Sequence, residues 1–369
     1  MVFLCQLLKL NLKIVYSILK LLPTKNKIVF ISRQSNIPSF DFLMLKDELL
    51  KINEKFKIIF ITKKIEKGLK NYILYYLNLY VQMYHLATSK VCIVDSYCIP
   101  VSVLKHKKNL KIIQMWHAMG AIKKFGYQSI GKKDGRNNKI SKVMNMHENY
   151  DFVVSGSKEM IPYFSEAFNV SKDKFIVNGL PKMDYIYKNK YDIKNKILTK
   201  YEFLNKKKNV LYAPTFRKNE ENIFDELINN FDYENFNLIV KLHPKSSKIN
   251  NPKIITCDEF SSLELLTITD YLITDYSAIS IEASILDIPI ILYLYDYDDY
   301  SINNGLNIDL FKELKPYVYK DYKEVIESLK KDYDKKIVYQ FKEKYTDKNI
   351  GNYTSNLANF INKRMIKND

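Results

Sequence analysis

A chain of 369 residues with 47% hydrophobic and 27% charged side chains is long enough for two domains with separate cores, and its composition excludes both global disorder and a polytopic membrane protein. Its 58 Lys and Arg against 41 Asp and Glu give a formal charge of +17, which favours an anionic partner or reflects lysine enrichment on solvated faces. No recognition helix, zinc finger or aromatic RNA-binding signature accompanies the charge, so nucleic acid is not the expected partner.

Residues 2–22 are strongly apolar, with Gln6, Lys9, Lys13, Ser17 and Lys20 recurring at helical spacing as one narrow polar stripe. Three internal lysines argue against a spanning helix, and no small-residue cleavage site follows. The segment reads as an amphipathic helix, lying on the cytoplasmic leaflet with its lysines at the headgroups or packed on the protein itself.

Short apolar runs rich in β-branched and aromatic residues then alternate with helical stretches: 27–32, 56–62, 91–95, 111–116, 151–155 and 175–178. That alternation predicts βαβ units and a parallel sheet over residues 23–180. A Lys-, Asn- and Tyr-rich stretch over 188–208 predicts a connection plus a solvated helix. The alternation restarts at 209–213, 237–242, 253–257, 271–274 and 289–294, which makes 181–369 a second α/β domain. The expected fold is α/β, with two Rossmann-like domains facing across a cleft as in the GT-B transferases. Cys5, Cys92, Cys98 and Cys257 are scattered without C-x-x-C spacing and read as small buried hydrophobes.

Polar residues that close buried strands are the candidates for chemistry, because ligands of open α/β sheets sit outside the carboxyl ends of the strands. His117 and His243, two of five histidines, each end an apolar run. Small residues follow His117, with Lys123 and Lys124 beyond them; an imidazole there suits a general base. Lys241 and His243 share one face of their strand and suit a developing negative charge. Thr215 and Arg217, after the 209–213 strand and Pro214, offer a hydroxyl and a planar fork for phosphate. Thr274, Asp275 and Ser277 lie between a strand and a helix, where backbone N–H groups favour an anion; Asp275 or Ser277 equally suits a helix cap. Glu282, about two turns into that helix, is a candidate acceptor for ribose hydroxyls. The acidic run 296–299 reads as a solvated loop, and no metal-ligand cluster, Walker loop or G-x-G-x-x-G occurs. Neither a metal nor a cofactor is expected.

Five segments, in order, resemble the CDP-glycerol glycerophosphotransferase family of teichoic acid primases and polymerases: Trp116-His117, Gly179-Leu180-Pro181-Lys182-Met183-Asp184, Tyr212-Ala213-Pro214-Thr215-Phe216-Arg217, Lys241-Leu242-His243-Pro244 and Thr274-Asp275-Tyr276-Ser277. The chain departs from the family at Ala118-Met119, where a Gly-Thr pair is usual, and at Ala278, often a second serine. The resemblance implies transfer of glycerol phosphate or ribitol phosphate from a CDP-activated donor to a hydroxyl of a lipid-linked polyprenyl-diphosphate acceptor, with CMP released. It implies a peripheral enzyme at an anionic membrane surface on the cytoplasmic face. In that reading His117 takes the acceptor proton. His243, Lys241, Thr215, Arg217, Ser277 and the helix start hold the diphosphate. Two other readings compete: a GT-B glycosyltransferase using a nucleotide sugar, and a non-catalytic basic protein binding membrane or nucleic acid.

Overall fold

The computed structural model describes residues 1–132, 135–217, 225–242 and 251–366, and the chain divides into two compact units. The first comprises Met1–Ala118, Lys124–Asp184 and Gly351–Asp369; the second comprises Met119–Lys123 and Tyr185–Ile350. The boundary expected near residue 180 thus falls at 184, and the last stretch of chain returns to the first unit.

The first unit holds a six-stranded parallel sheet of β1 (Lys27–Ser32), β2 (Lys57–Thr62), β3 (Val91–Val94), β4 (Lys111–Gln114), β5 (Phe152–Ser155) and β6 (Phe175–Val177), in the order β2-β1-β3-β4-β5-β6. Every residue of β1 and β3 is buried, which explains their continuous apolar runs: a parallel sheet covered by helices on both faces has no solvent side. The second unit holds a five-stranded parallel sheet of β7 (Lys208–Tyr212), β8 (Phe236–Val240), β9 (Tyr271–Thr274), β10 (Ile290–Tyr293) and β11 (Val318–Tyr319), in the order β11-β10-β9-β7-β8. In each sheet the chain winds first to one side of its opening strand and then to the other. The switch points therefore lie between β1 and β3 and between β7 and β9.

Residues 253–257 do not form the expected strand. Only Ile255 aligns with β8, donating to the Leu238 carbonyl at 3.0 Å while its own carbonyl accepts from Val240 N–H at 2.8 Å. The left-handed φ of 43° at Cys257 ends the extended backbone. The two-residue β11 was too short to leave a periodic signal.

The Gly179–Asp184 motif fastens the C-terminal helix Tyr353–Ile366 to the first unit. The Asp184 carboxylate accepts from the Tyr353 N–H at 3.0 Å and from the Thr354 N–H and hydroxyl at 2.7 Å each. The Asn178 amide donates to the Tyr353 carbonyl at 3.0 Å. A Cβ on Gly179 would come within 2.2 Å of the Tyr353 ring, so the close approach needs glycine.

The N-terminal helix Val2–Leu19 packs against the helix Leu69–Thr88. Leu12 and Tyr16 are buried; the Tyr16 hydroxyl meets His106 Nδ1 at 2.8 Å, and Lys9 donates to the Val143 carbonyl at 2.8 Å.

Burial sets an acid limit on the first unit. His147, packed among Tyr97, Trp116, Tyr150 and Phe168, is lowered to about 3 by burial and by repulsion from Arg136 and Arg33; burial lowers His106 to about 4. Both are neutral in the fold and protonate more readily when unfolded, near pH 6.5. Their contribution is complete above about pH 6.5 and is lost as pH falls toward 4 and then 3. Buried Asp95 acts in the opposite sense: burial raises it to about 6, so its contribution is lost as pH rises through 6. His85 of the same unit is likewise lowered to about 4 by burial, and with three imidazoles against one carboxyl, urea midpoints are expected to fall steadily between pH 6.5 and 4; a flat profile over that window contradicts the assignment.

Candidate active site

In the first unit β4 ends at Gln114, and the chain turns through Trp116, whose φ of 61° is a left-handed conformation that bulky residues rarely adopt. Two features hold it. The buried Gln114 side chain accepts from the Trp116 N–H at 2.9 Å and donates to the Ser96 carbonyl at 3.3 Å. The indole stacks on Phe125 at 4.8 Å, with Phe168 edge-on at 5.1 Å. The turn delivers His117 to the surface.

His117 Nδ1 lies 2.9 Å from the Asp95 carbonyl oxygen. A carbonyl only accepts, so Nδ1 carries the hydrogen and the lone pair of the neutral ring sits on Nε2. The Gln34 amide, 3.3 Å from the same Nδ1, is compatible when its oxygen faces the ring. Lys182 of the Gly179–Asp184 motif donates through Nζ to the His117 carbonyl at 3.4 Å and through its N–H to Asp41 at 2.7 Å. Gln34, Asp95, Gln114 and Lys182 thus orient the imidazole, and no periodicity marks them in the sequence.

The second unit concentrates its polar residues at the β7/β9 switch point. Asp275, just beyond β9, accepts from the Thr215 N–H at 3.0 and 2.9 Å and from the Thr215 hydroxyl at 2.6 Å. Its carboxylate also receives Arg217, and Arg217 forms a bidentate pair with Asp296, Nε and Nη2 at 2.9 and 3.0 Å. The Tyr276 hydroxyl donates to the same carboxylate at 2.9 Å. The guanidinium lies 5.3–5.4 Å from the rings of Tyr276, Tyr295 and Tyr300, the first and last stacked at 3.9 Å. Burial opposes the charge of Arg217, but Asp275 and Asp296 outweigh it and hold the group above its ordinary value.

The structure brings Thr215, Arg217 and Asp275 together but turns the arginine fork onto carboxylates. Asp275 does not cap the following helix, Ile279–Ile285: that helix begins after Ala278 without a side-chain cap. Glu282 is buried in its first turn, nearer the helix start than its spacing suggested. Ser277 is half-buried, with its hydroxyl oxygen 3.5 Å from the Ile279 N–H, and Thr274 donates to the Ala213 carbonyl at 2.7 Å. Lys241 donates to the carbonyls of Cys257 and Asp258, each at 3.3 Å. His243 lies outside the described residues.

Asp296 corrects the expectation of a solvated acidic run, because its side chain is only 12% exposed and the residues after it form the helix Tyr297–Asn303. Lys123 also joins this cluster. Its segment is held by an antiparallel bridge to Leu306 and by Asn307, whose N–H donates to the Ile122 carbonyl at 2.8 Å. Burial lowers Lys123, Asp275 raises it and Arg217 lowers it further.

Two parallel α/β sheets, each with polar residues gathered beyond its strand ends, make a GT-B-like fold. Structures of the wall teichoic acid polymerase TagF share this fold, with a TM-score of 0.72 over 99% of this chain and 98% of that one at 18% identity. The family model described as CDP-Glycerol:Poly(glycerophosphate) glycerophosphotransferase matches residues 14–363, and the chain belongs to that family. The teichoic acid ribitol-phosphate primase of Bacillus spizizenii is 29% identical over 359 residues, 92% of either chain. The teichoic acid glycerol-phosphate primase of Bacillus subtilis is 32% identical over 290 residues, 76% of this chain and 75% of that one.

Proposed function

We propose that this protein transfers a polyol phosphate, glycerol phosphate or ribitol phosphate, from its CDP-activated form to a hydroxyl of a lipid-linked acceptor in teichoic acid synthesis, releasing CMP. Family membership over residues 14–363 supports the reaction class. The observation that carries the catalytic assignment is the His117 Nδ1 to Asp95 carbonyl bond at 2.9 Å. Nε2 of the neutral ring takes the acceptor hydroxyl proton as that oxygen bonds to the polyol-bearing phosphorus. The bond from that phosphorus to the bridging oxygen breaks, and the electron pair leaves with CMP. Transfer of this kind depends mainly on positioning and charge stabilisation. Thr215, Ser277, Lys241, Thr274 and His243 are proposed on the diphosphate side. Asp275 and Asp296 keep Arg217 charged there, and Glu282 is proposed toward the ribose.

The test is a donor screen with CDP-glycerol, CDP-ribitol and UDP-sugars, monitoring CMP and UDP. Acceptor-dependent CMP release from a CDP-polyol is expected; UDP release from a sugar donor instead would favour the glycosyltransferase reading.

We further propose that the N-terminal helix seats the enzyme on an anionic leaflet at the cytoplasmic face. The helix is long and apolar enough to cross a bilayer, but Tyr16, Leu12 and Lys9 tie one side of it to its own unit. On the outer side Phe3, Leu4, Leu10, Ile14 and Ile18 are more than half exposed, and the adjoining helix Leu69–Thr88 exposes Leu69, Ile73 and Leu77. A patch of this kind flanked by lysines fits the acyl and headgroup boundary. Replacing Leu10, Ile14 and Ile18 with glutamate is expected to lower sedimentation with phosphatidylglycerol vesicles at least tenfold while leaving the melting temperature near that of the parent; undiminished sedimentation refutes the seat.

A further inference from the structure

Two arginines of the first unit share one aromatic ring. The guanidinium carbon of Arg33 lies 4.9 Å from the Tyr97 ring centroid and that of Arg136 lies 5.0 Å from it. Among the described residues neither guanidinium has a carboxylate partner or a side-chain hydrogen bond. The ring is a fixed platform, because buried Tyr97 donates its hydroxyl to the Met144 carbonyl at 3.1 Å.

Each guanidinium presents five donors in a planar fork suited to phosphate oxygens. Two such cations held against one ring repel each other, and an anion bridging them removes that cost. Arg33 is half-buried and Arg136 exposed, so both are reachable from solvent.

The location fits a ligand. Arg33 follows β1 and Tyr97 lies three residues beyond β3, the two strands that flank the switch point of this sheet. The Arg33 N–H donates to the Ser96 hydroxyl at 3.4 Å, and the neighbouring Asp95 carbonyl holds His117. The arginine platform and the imidazole therefore hang from the same strand end.

We infer that Arg33 and Arg136 form an anion site that holds a phosphate of the acceptor while the acceptor hydroxyl is offered to His117. The inference rests on the transfer reaction proposed above. The second unit has its own cluster for the donor diphosphate, which leaves this site to the other phosphate-bearing substrate.

Two arms test it, both with the full chain. In steady-state transfer with a CDP-polyol and a lipid-diphosphate acceptor, Arg33→Gln and Arg136→Gln are each expected to raise the acceptor KM at least tenfold, with the donor KM within twofold and partial recovery in Arg136→Lys. A rise confined to the donor KM, or no change in either, overturns the assignment. In calorimetry with a short-chain isoprenyl diphosphate and saturating CMP, the parent is expected to bind and the two glutamine variants to lose at least tenfold in affinity. Equal binding by parent and variants, or none by the parent, overturns it. Absence of transfer by the parent alongside variant-sensitive diphosphate binding would remove the proposed reaction and leave the anion site standing.

Discussion

Replacing His117 with alanine is expected to reduce acceptor-dependent CMP release by about 10²–10⁴-fold, the usual contribution of a positioned general base, while CMP and donor affinities stay within a factor of about two. The split follows from the fold: His117 hangs from β4 of the first sheet, whereas the cluster proposed for the donor gathers at the β7/β9 switch point of the second. Loss of donor binding together with turnover would place His117 on the diphosphate. Turnover near that of the parent would remove the base assignment. Gln114→Leu provides a graded companion, because it removes the acceptor that holds the Trp116 N–H without touching the imidazole. It should lower kcat while leaving the donor KM unchanged.

Asp275→Ala is expected to be the most damaging single change for stability. The Asp275 and Arg217 side chains are 2% and 7% exposed; Asp296 still pairs with the guanidinium after the change, so the loss of one carboxylate from this buried network costs about 3 kcal/mol, the low end for a broken buried pair. The change also strands the Thr215 N–H and hydroxyl, both of which donate to that carboxylate. Thr215→Val removes only the hydroxyl contact and should cost about 1 kcal/mol. Chemical denaturation orders the two variants, and calorimetry with CMP reads out the site. Equal destabilisation by both, or less than about 1 kcal/mol for Asp275→Ala, contradicts the central role given to this carboxylate.

Much of this was legible in the sequence because buried parallel strands announce themselves. The runs at 27–32 and 271–274 coincide with β1 and β9, as expected where both faces of a strand are covered. His117, Thr215 and Asp275 were singled out by one rule, that polar residues closing buried strands face the ligand side, and each does lie just beyond a buried strand. What escaped was pairing at long range. Asp296 sits in an acidic, tyrosine-rich run resembling a solvated loop, and only its bidentate bond to Arg217, 79 positions earlier, ties it to the Thr215–Asp275 cluster. Arg33, Tyr97 and Arg136 escaped likewise, since nothing local marks three residues from separate connections that meet on one ring. The Lys253–Cys257 region was misread because β-branched composition cannot report that only one residue finds a partner in β8.

The return of the C-terminal helix to the first unit has a consequence for biogenesis. Asp184 and Asn178 wait for partners at 353 and 354, about 170 positions downstream. During synthesis the ribosome must therefore deliver the entire second unit before the first can close. The half bearing His117 begins emerging first yet matures last, and a nascent chain stalled anywhere before residue 353 carries an open, unsealed first unit.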